Sequence, residues 1–217
     1  MDTKLLIFDF DGTIMDTRQT IVYAKQETMK TMGLKVYDEA TCASTIGLSA
    51  KLGFQRLYPE MPEKQIDELV VLYRRVFEEA KETMPPTIFP NVIDTLEILS
   101  QKGYELTIAT SRNTPSIHEF LDKLKLRKYF KYVLGGDDTK LLKPNPEPVL
   151  RTLEDLNYAP DQAMVIGDMP FDIIMGKSAN VSALGVTYGN ATREELLESG
   201  ADYVIDDMKE LIDILES

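Results

Sequence analysis

The sequence predicts an α/β protein: a doubly wound parallel sheet with an all-helical segment inserted after its first strand. Three observations predict it. Short apolar runs of strand length alternate with helical patterns along most of the 217 residues, the mark of βαβ units. The first run, Leu5–Phe10, is apolar throughout except for Asp9, as a strand buried on both faces of a parallel sheet must be. From Asp16 to Met84 the alternation stops, and two long helical patterns, Thr17–Met32 and Pro62–Thr83, replace it.

The elements follow in order. After Leu5–Phe10 come strand runs at Leu106–Ala109, Tyr132–Leu134, Met164–Ile166, Val181–Val186 and Tyr203–Ile205. Between them, Asn91 can cap a helix that turns Ile93, Leu96 and Leu99 inward and stops at Gly103. Thr114-Pro115 opens another, with Ile117, Phe120, Leu121 and Leu124 inward; Asn145-Pro146 opens a third, with Val149, Leu150, Leu153 and Leu156. Pro170 suits the first turn of a fourth. The inserted block carries 10 Lys+Arg and 11 Asp+Glu and closes at Met84-Pro85-Pro86. Residues 1–15 and 85–217 then form one α/β core, and residues 16–84 a separate helical unit. A chain of this length buries roughly 70% of its unfolded surface, enough to fold without a disulfide or structural metal.

Composition narrows the chemistry. Lys+Arg number 24 against 36 Asp+Glu, a net charge of −12, so neither nucleic acid nor an anionic membrane is an expected partner. One cysteine, Cys42, and one histidine, His118, exclude a disulfide framework and a Cys/His zinc site. A cysteine phosphatase would want an arginine six residues beyond its thiol, where Leu48 stands. Apolar stretches reach only five or six residues, too short to span a membrane. Met1–Lys4 does not read as a secretory signal, and a reducing cytoplasm is the expected setting. Any catalysis must come from carboxylates, hydroxyls, lysines and bound cations.

Ligands of open parallel sheets bind beyond the carboxyl ends of the strands, and four polar signals stand there. The first strand ends in Asp9-Phe10-Asp11-Gly12-Thr13, the second in Thr110-Ser111, a loop before a helix reads Lys143-Pro144-Asn145-Pro146, and another strand ends in Gly167-Asp168 with Asp172 following. Asp9, Asp11 and Asp168 at one sheet edge would repel one another without a hard cation among them, and a few oxygen ligands suit Mg²⁺. A hydroxyl and Lys143 remain to hold an anionic group. A carboxylate beside them is a candidate nucleophile, and an Asp two residues on can lend and take a proton. Asp172, in the first turn after Pro170, either supports the metal or complements the helix dipole. Gly176-Lys177-Ser178 ends like a phosphate-binding loop, but Phe171 occupies the place of its first glycine.

On these four signals the sequence resembles the haloacid dehalogenase-like hydrolase superfamily: D-x-D-G-T at Asp9–Thr13, the strand-terminal Thr110, K-P-x-P at Lys143–Pro146 and G-D-x-x-x-D at Gly167–Asp172. The helical insertion resembles the cap of its phosphoglycolate phosphatase and β-phosphoglucomutase branch. The resemblance implies a Rossmann-like core with an all-helical cap, in which Asp9 is the nucleophile and Asp11 the general acid/base. It further implies that Thr110 and Lys143 position the phosphoryl group, and that Mg²⁺ is held by Asp9, Asp168 and the backbone carbonyl of Asp11, with Asp172 in support. Substrate contacts are then expected from Thr110, Ser111, Lys143 and, in the cap, Gly47 within Ser44–Ser49, with Arg18, Lys51 and Arg56 as further candidates.

The expected reaction is hydrolysis of a small phosphorylated metabolite by a monomer or weak homodimer. Asp11 argues against a dehalogenase, because a departing halide needs no proton. Gly167 before Asp168 argues against the phosphomutases of the branch, which tend to carry Glu there. A phosphonatase would need a cap lysine forming a Schiff base; Lys25 and Lys51 both read as exposed helix lysines. A non-catalytic, receiver-like phospho-acceptor domain shares the carboxylates, hydroxyl and lysine, but has neither the insertion nor an acid two residues after its acceptor.

Overall fold

The computed structural model describes residues 3–217; Met1 and Asp2, assigned above to the core, lie outside the described residues. Six parallel strands form the central sheet: β1 (Leu5–Phe8), β4 (Glu105–Ala109), β5 (Phe130–Leu134), β6 (Ala163–Gly167), β7 (Ser182–Val186) and β8 (Tyr203–Ile205). Their order is β5-β4-β1-β6-β7-β8. β1 lies between β4 and β6, with Leu5 opposite both Glu105 and Ala163. All four of its residues are fully buried, because helices cover both faces of the sheet. Leu6 and Phe8 face one apolar cluster, Leu5 and Ile7 another, as the two-residue period of a strand requires.

The crossovers are α5 (Val92–Gln101), α6 (Thr114–Lys123), α7 (Glu147–Leu156), α8 (Pro170–Ser178) and α9 (Arg193–Glu198), with α10 (Glu210–Glu216) last. Several local expectations change. Asn91 precedes α5 but does not cap it with its side chain: it adopts a φ of 62° and its amide donates to Asp207 instead. Asn113, not Thr114, caps α6 by accepting from the Ser116 N–H at 3.0 Å. Ile93 and Leu150, expected inward, are 43% and 47% exposed. Single apolar residues on a surface need no compensation.

Between the first and second strands of the large sheet the chain forms four helices: α1 (Arg18–Thr31), α2 (Glu39–Ala43), α3 (Ala50–Leu57) and α4 (Glu63–Thr83). They pack around Met29, Phe54, Ile66 and Leu69, all fully buried. The joint is firmer than two plain linkers, since β2 (Met15–Asp16) and β3 (Thr87–Ile88) pair antiparallel across it. No helix among the described residues is long and apolar enough to cross a membrane.

Candidate active site

The strand order changes direction at β1, and the carboxyl ends around that point carry the expected polar residues. Asp9 follows β1 directly and is 2% exposed. Its Oδ1 accepts from Lys143 Nζ, while its Oδ2 is buried with no hydrogen-bond partner. Lys143, 1% exposed, also donates to Asp172 Oδ1 at 2.7 Å. The second oxygen of Asp172 accepts from the Met169 N–H at 3.1 Å, so Asp172 is a buried anchor for Lys143 and for the start of α8. Asp168 Oδ2 accepts from the Asn190 backbone N–H at 2.8 Å and from its side-chain amide at 2.7 Å.

Close packing holds this cluster together. Gly12 has a φ of 97°, and a Cβ there would sit 2.2 Å from Asp168 Oδ2. A Cβ at Gly167 would fall 2.3 Å from that of Asp172. Both glycines let backbone approach carboxylate, a service no larger residue can render.

Asp9, Asp168 and Asp172 each offer an oxygen within 4.8 Å of the others. Three buried carboxylates facing one buried ammonium leave an excess of negative charge. Burial pushes the Asp9 carboxyl well above the ordinary carboxylate range, Lys143 pulls it down, and Asp172, Asp168 and Asp11 push it up again. Asp168 is pushed up to about 7, first by burial and then by Asp172, against the hydrogen bonds from Asn190. Burial works against the Lys143 ammonium, but Asp172 and Asp9 outweigh it and raise its pKa. An unpartnered Asp9 oxygen among hard oxygen donors, with charge to neutralise, fits a divalent cation.

Asp11 departs from the simplest expectation, in which its carboxylate joins the acidic cluster. Its side chain is held by Arg112, with Nε to Oδ2 at 3.0 Å and Nη2 to Oδ1 at 2.5 Å. Thr110 is buried and accepts from the Arg112 N–H at 3.2 Å. Ser111 Oγ donates to the Gly47 carbonyl at 2.7 Å, tying the turn between α2 and α3 to the sheet edge. Asp9, Asp11, Thr110, Ser111, Lys143 and Gly47 thus line one cleft of about 1360 Å³ between the sheet and the inserted helices. Arg18 and Arg56 do not line it: Arg18 donates to Glu39 and Asn190, and Arg56 lies over Phe171.

Three residues at this site carried no sequence-based expectation of a role. Arg112 stands two residues beyond Thr110, and that position was the signal available for it. Asn190, the partner of Asp168, is 22 residues away from it in the chain and gives no local signal. Lys25, expected on an exposed helix face, is 3% exposed and lines the cleft.

The family model of the haloacid dehalogenase-like hydrolases matches residues 6–186, and the chain belongs to that family. Within it, the chain is a phosphatase of the phosphoglycolate phosphatase and PpaX-like branch, with cap helices. It is 31% identical to a phosphoglycolate phosphatase of Psychrobacter arcticus over 222 residues, covering 99% of this chain and 96% of that one. It is 29% identical to the pyrophosphatase PpaX of Anoxybacillus flavithermus over 215 residues, covering 99% and 98%. The crystal structure of a predicted phosphatase from Clostridium acetobutylicum superposes with a TM-score of 0.89 at 29% identity, covering 99% of each chain.

Proposed function

We propose that the protein hydrolyses a small phosphorylated metabolite through a phospho-Asp9 intermediate, with Mg²⁺ as its metal. The observation that carries this reading is Asp9 itself: a cleft-lining carboxylate fixed through one oxygen by Lys143, the other oxygen buried and unpartnered. Residues 16–84 act as the cap, and residues 1–15 with 85–217 as the core.

Asp9 attacks the phosphorus, forming an Asp9–phosphoryl bond while the bond to the leaving oxygen breaks. Asp11 gives that oxygen its proton and then takes one from the water that attacks phospho-Asp9, which releases phosphate and restores Asp9 as the carboxylate and Asp11 as the acid. Thr110 and Lys143 hold the phosphoryl oxygens through charge-assisted hydrogen bonds. Asp9, Asp168 and the Asp11 backbone carbonyl would hold Mg²⁺, which would supply charge neutralisation at the phosphoryl group. Asp172 contributes by fixing Lys143. Hydrolysis is favoured over phosphomutase chemistry because Gly167 stands before Asp168, where the phosphomutases of the branch tend to carry Glu. A reducing cytoplasm suits a chain whose cysteine is a free, buried thiol.

A panel of phosphorylated metabolites with Mg²⁺, read as kcat/KM, tests the reading. The relatives put phosphoglycolate and pyrophosphate at the head of the panel. The reading fails if neither the panel nor p-nitrophenyl phosphate is turned over.

A further inference from the structure

Lys25 projects from α1 into the interior of the inserted helices, where it is 3% exposed. Its ammonium donates to Thr45 Oγ1 at 2.5 Å and to the Cys42 carbonyl at 3.2 Å. Both acceptors are neutral. Among the described residues no carboxylate pairs with it, and the carboxylate whose field reaches it, Asp11, is already engaged by Arg112. An ammonium has three protons to place, and burying one without a counter-charge is costly. Two other cations of the inserted helices near the cleft are satisfied differently: Lys51 pairs with Glu63 and Asp67, and Lys81 with Glu78 and Glu119.

Lys25 lines the same cleft as Asp9 and Asp11. Thr45, which fixes its ammonium, belongs to the turn that Ser111 ties to the sheet edge through Gly47. Arg74, exposed and without an ion pair among the described residues, lines the cleft as well. A buried, oriented and uncompensated positive charge on the cap side of a phosphate-ester site is a receptor for negative charge on the other end of the substrate.

We propose that Lys25 is a specificity-determining residue: it receives a second anionic group, carboxylate or phosphate, carried on the leaving group of the ester. The proposal rests on the phosphatase reading above and narrows its substrate class to doubly anionic phosphate esters. Burial lowers the Lys25 pKa to about 8, with Cys42 and Asp11 opposing the fall, so the group is still charged at neutral pH.

The test uses three phosphate esters whose leaving groups share a two-carbon skeleton and differ in charge: phosphoglycolate, ethane-1,2-diol bisphosphate and, with an uncharged leaving group as the control, 2-hydroxyethyl phosphate. The wild-type enzyme should prefer at least one of the two anionic esters by about 10- to 100-fold in kcat/KM, the worth of a hydrogen bond to a charged group. The arm that shows the preference identifies carboxylate or phosphate. In Lys25→Met that preference should collapse toward unity, chiefly through KM, and Lys25→Arg should retain part of it. If wild type prefers neither anionic ester, the proposal is wrong whatever the variants do. An equal loss on charged and uncharged esters in Lys25→Met would also overturn it, showing that Lys25 merely props α1 against the α2–α3 turn. Failure of the underlying reading looks different: no ester is hydrolysed at all, p-nitrophenyl phosphate included.

Discussion

Arg112 grips Asp11 with two nitrogens of one guanidinium edge, Nε on Oδ2 and Nη2 on Oδ1. The fork is itself braced. Nη1 donates to Ser116 Oγ at 3.0 Å, and the guanidinium lies 4.8 Å from the Phe77 ring centroid of α4 and 4.9 Å from that of Phe120 in α6. Inserted helices and core therefore meet at the residue that orients Asp11. A protonated carboxyl oxygen is a weaker acceptor than a carboxylate oxygen, so in the proposed acid/base cycle the fork contact to the Asp11 oxygen that carries the proton weakens.

Arg112→Lys tests this coupling, because it keeps the charge and loses the fork. Turnover of an alkyl phosphate should fall by about 10-fold or more, the worth of one charge-assisted hydrogen bond. Turnover of p-nitrophenyl phosphate, whose leaving group needs little protonation, should fall less. Equal losses on the two esters would show that Arg112 serves packing or binding and does not act through Asp11.

Asp11→Asn addresses the proton itself. The amide keeps the shape and cannot exchange a proton, so alkyl phosphate turnover should drop by about 10²–10⁴-fold. With p-nitrophenyl phosphate the first step should survive and the second should stall. A burst of about one equivalent of nitrophenol and the mass of one phosphate on Asp9 are expected from that stall. Asp9→Asn should give neither. Parent-rate hydrolysis of both esters by Asp11→Asn would remove Asp11 from the acid/base role.

Metal binding has a readout independent of turnover. Asp9, Asp168 and Asp172 face the single ammonium of Lys143 in a fully buried cluster. A divalent cation that binds only the folded chain should raise stability by about 2.7 kcal/mol at a concentration 100 times its Kd. The melting temperature should therefore climb with Mg²⁺ and return on chelation, which should also abolish activity. Asp168→Asn should lose most of that climb. A melting temperature indifferent to Mg²⁺ in the parent would count against the site.

What could be read from the sequence was what lies on short, local patterns. The strands and the residues that end them were legible because both-face burial makes apolar runs, and because Asp9, Thr110 and Asp168 each stand at the end of one. Lys25 was hidden for a physical reason. The inner face of α1 includes Thr20 and Thr28, which donate to the Met84 and Ala24 carbonyls at 2.7 Å, so the helix buries polar residues and lacks a clean apolar stripe. The β2–β3 ladder escaped because two residues per strand cannot show an alternation. Arg112 and Asn190 act through partners 101 and 22 residues away, a relation only the folded chain contains.

The buried ammonium of Lys25 makes the stability of the protein depend on pH. Burial holds its pKa near 8 in the folded protein, against a usual value of 10.5. The groups that act on it are the Cys42 thiol, itself pushed up by burial, and Asp11 across the cleft. A lysine with a lowered folded pKa binds fewer protons in the native state than in the unfolded state between those two values. Stability contributed by this group therefore rises as pH goes from about 8 to 10.5, and the cost of its buried charge is fully present below about 8. The span corresponds to roughly 3 kcal/mol. Other groups titrate in the same range, so the measurement is a difference: the unfolding free energy of Lys25→Met minus that of the parent, from denaturant melts between pH 7 and pH 10. Methionine has no charge to bury. The difference should be most favourable to the variant at pH 7, hold up to about pH 8 and shrink from there toward pH 10. A difference that stays constant across the range would mean that the Lys25 ammonium is as well solvated in the folded cap as in the unfolded chain.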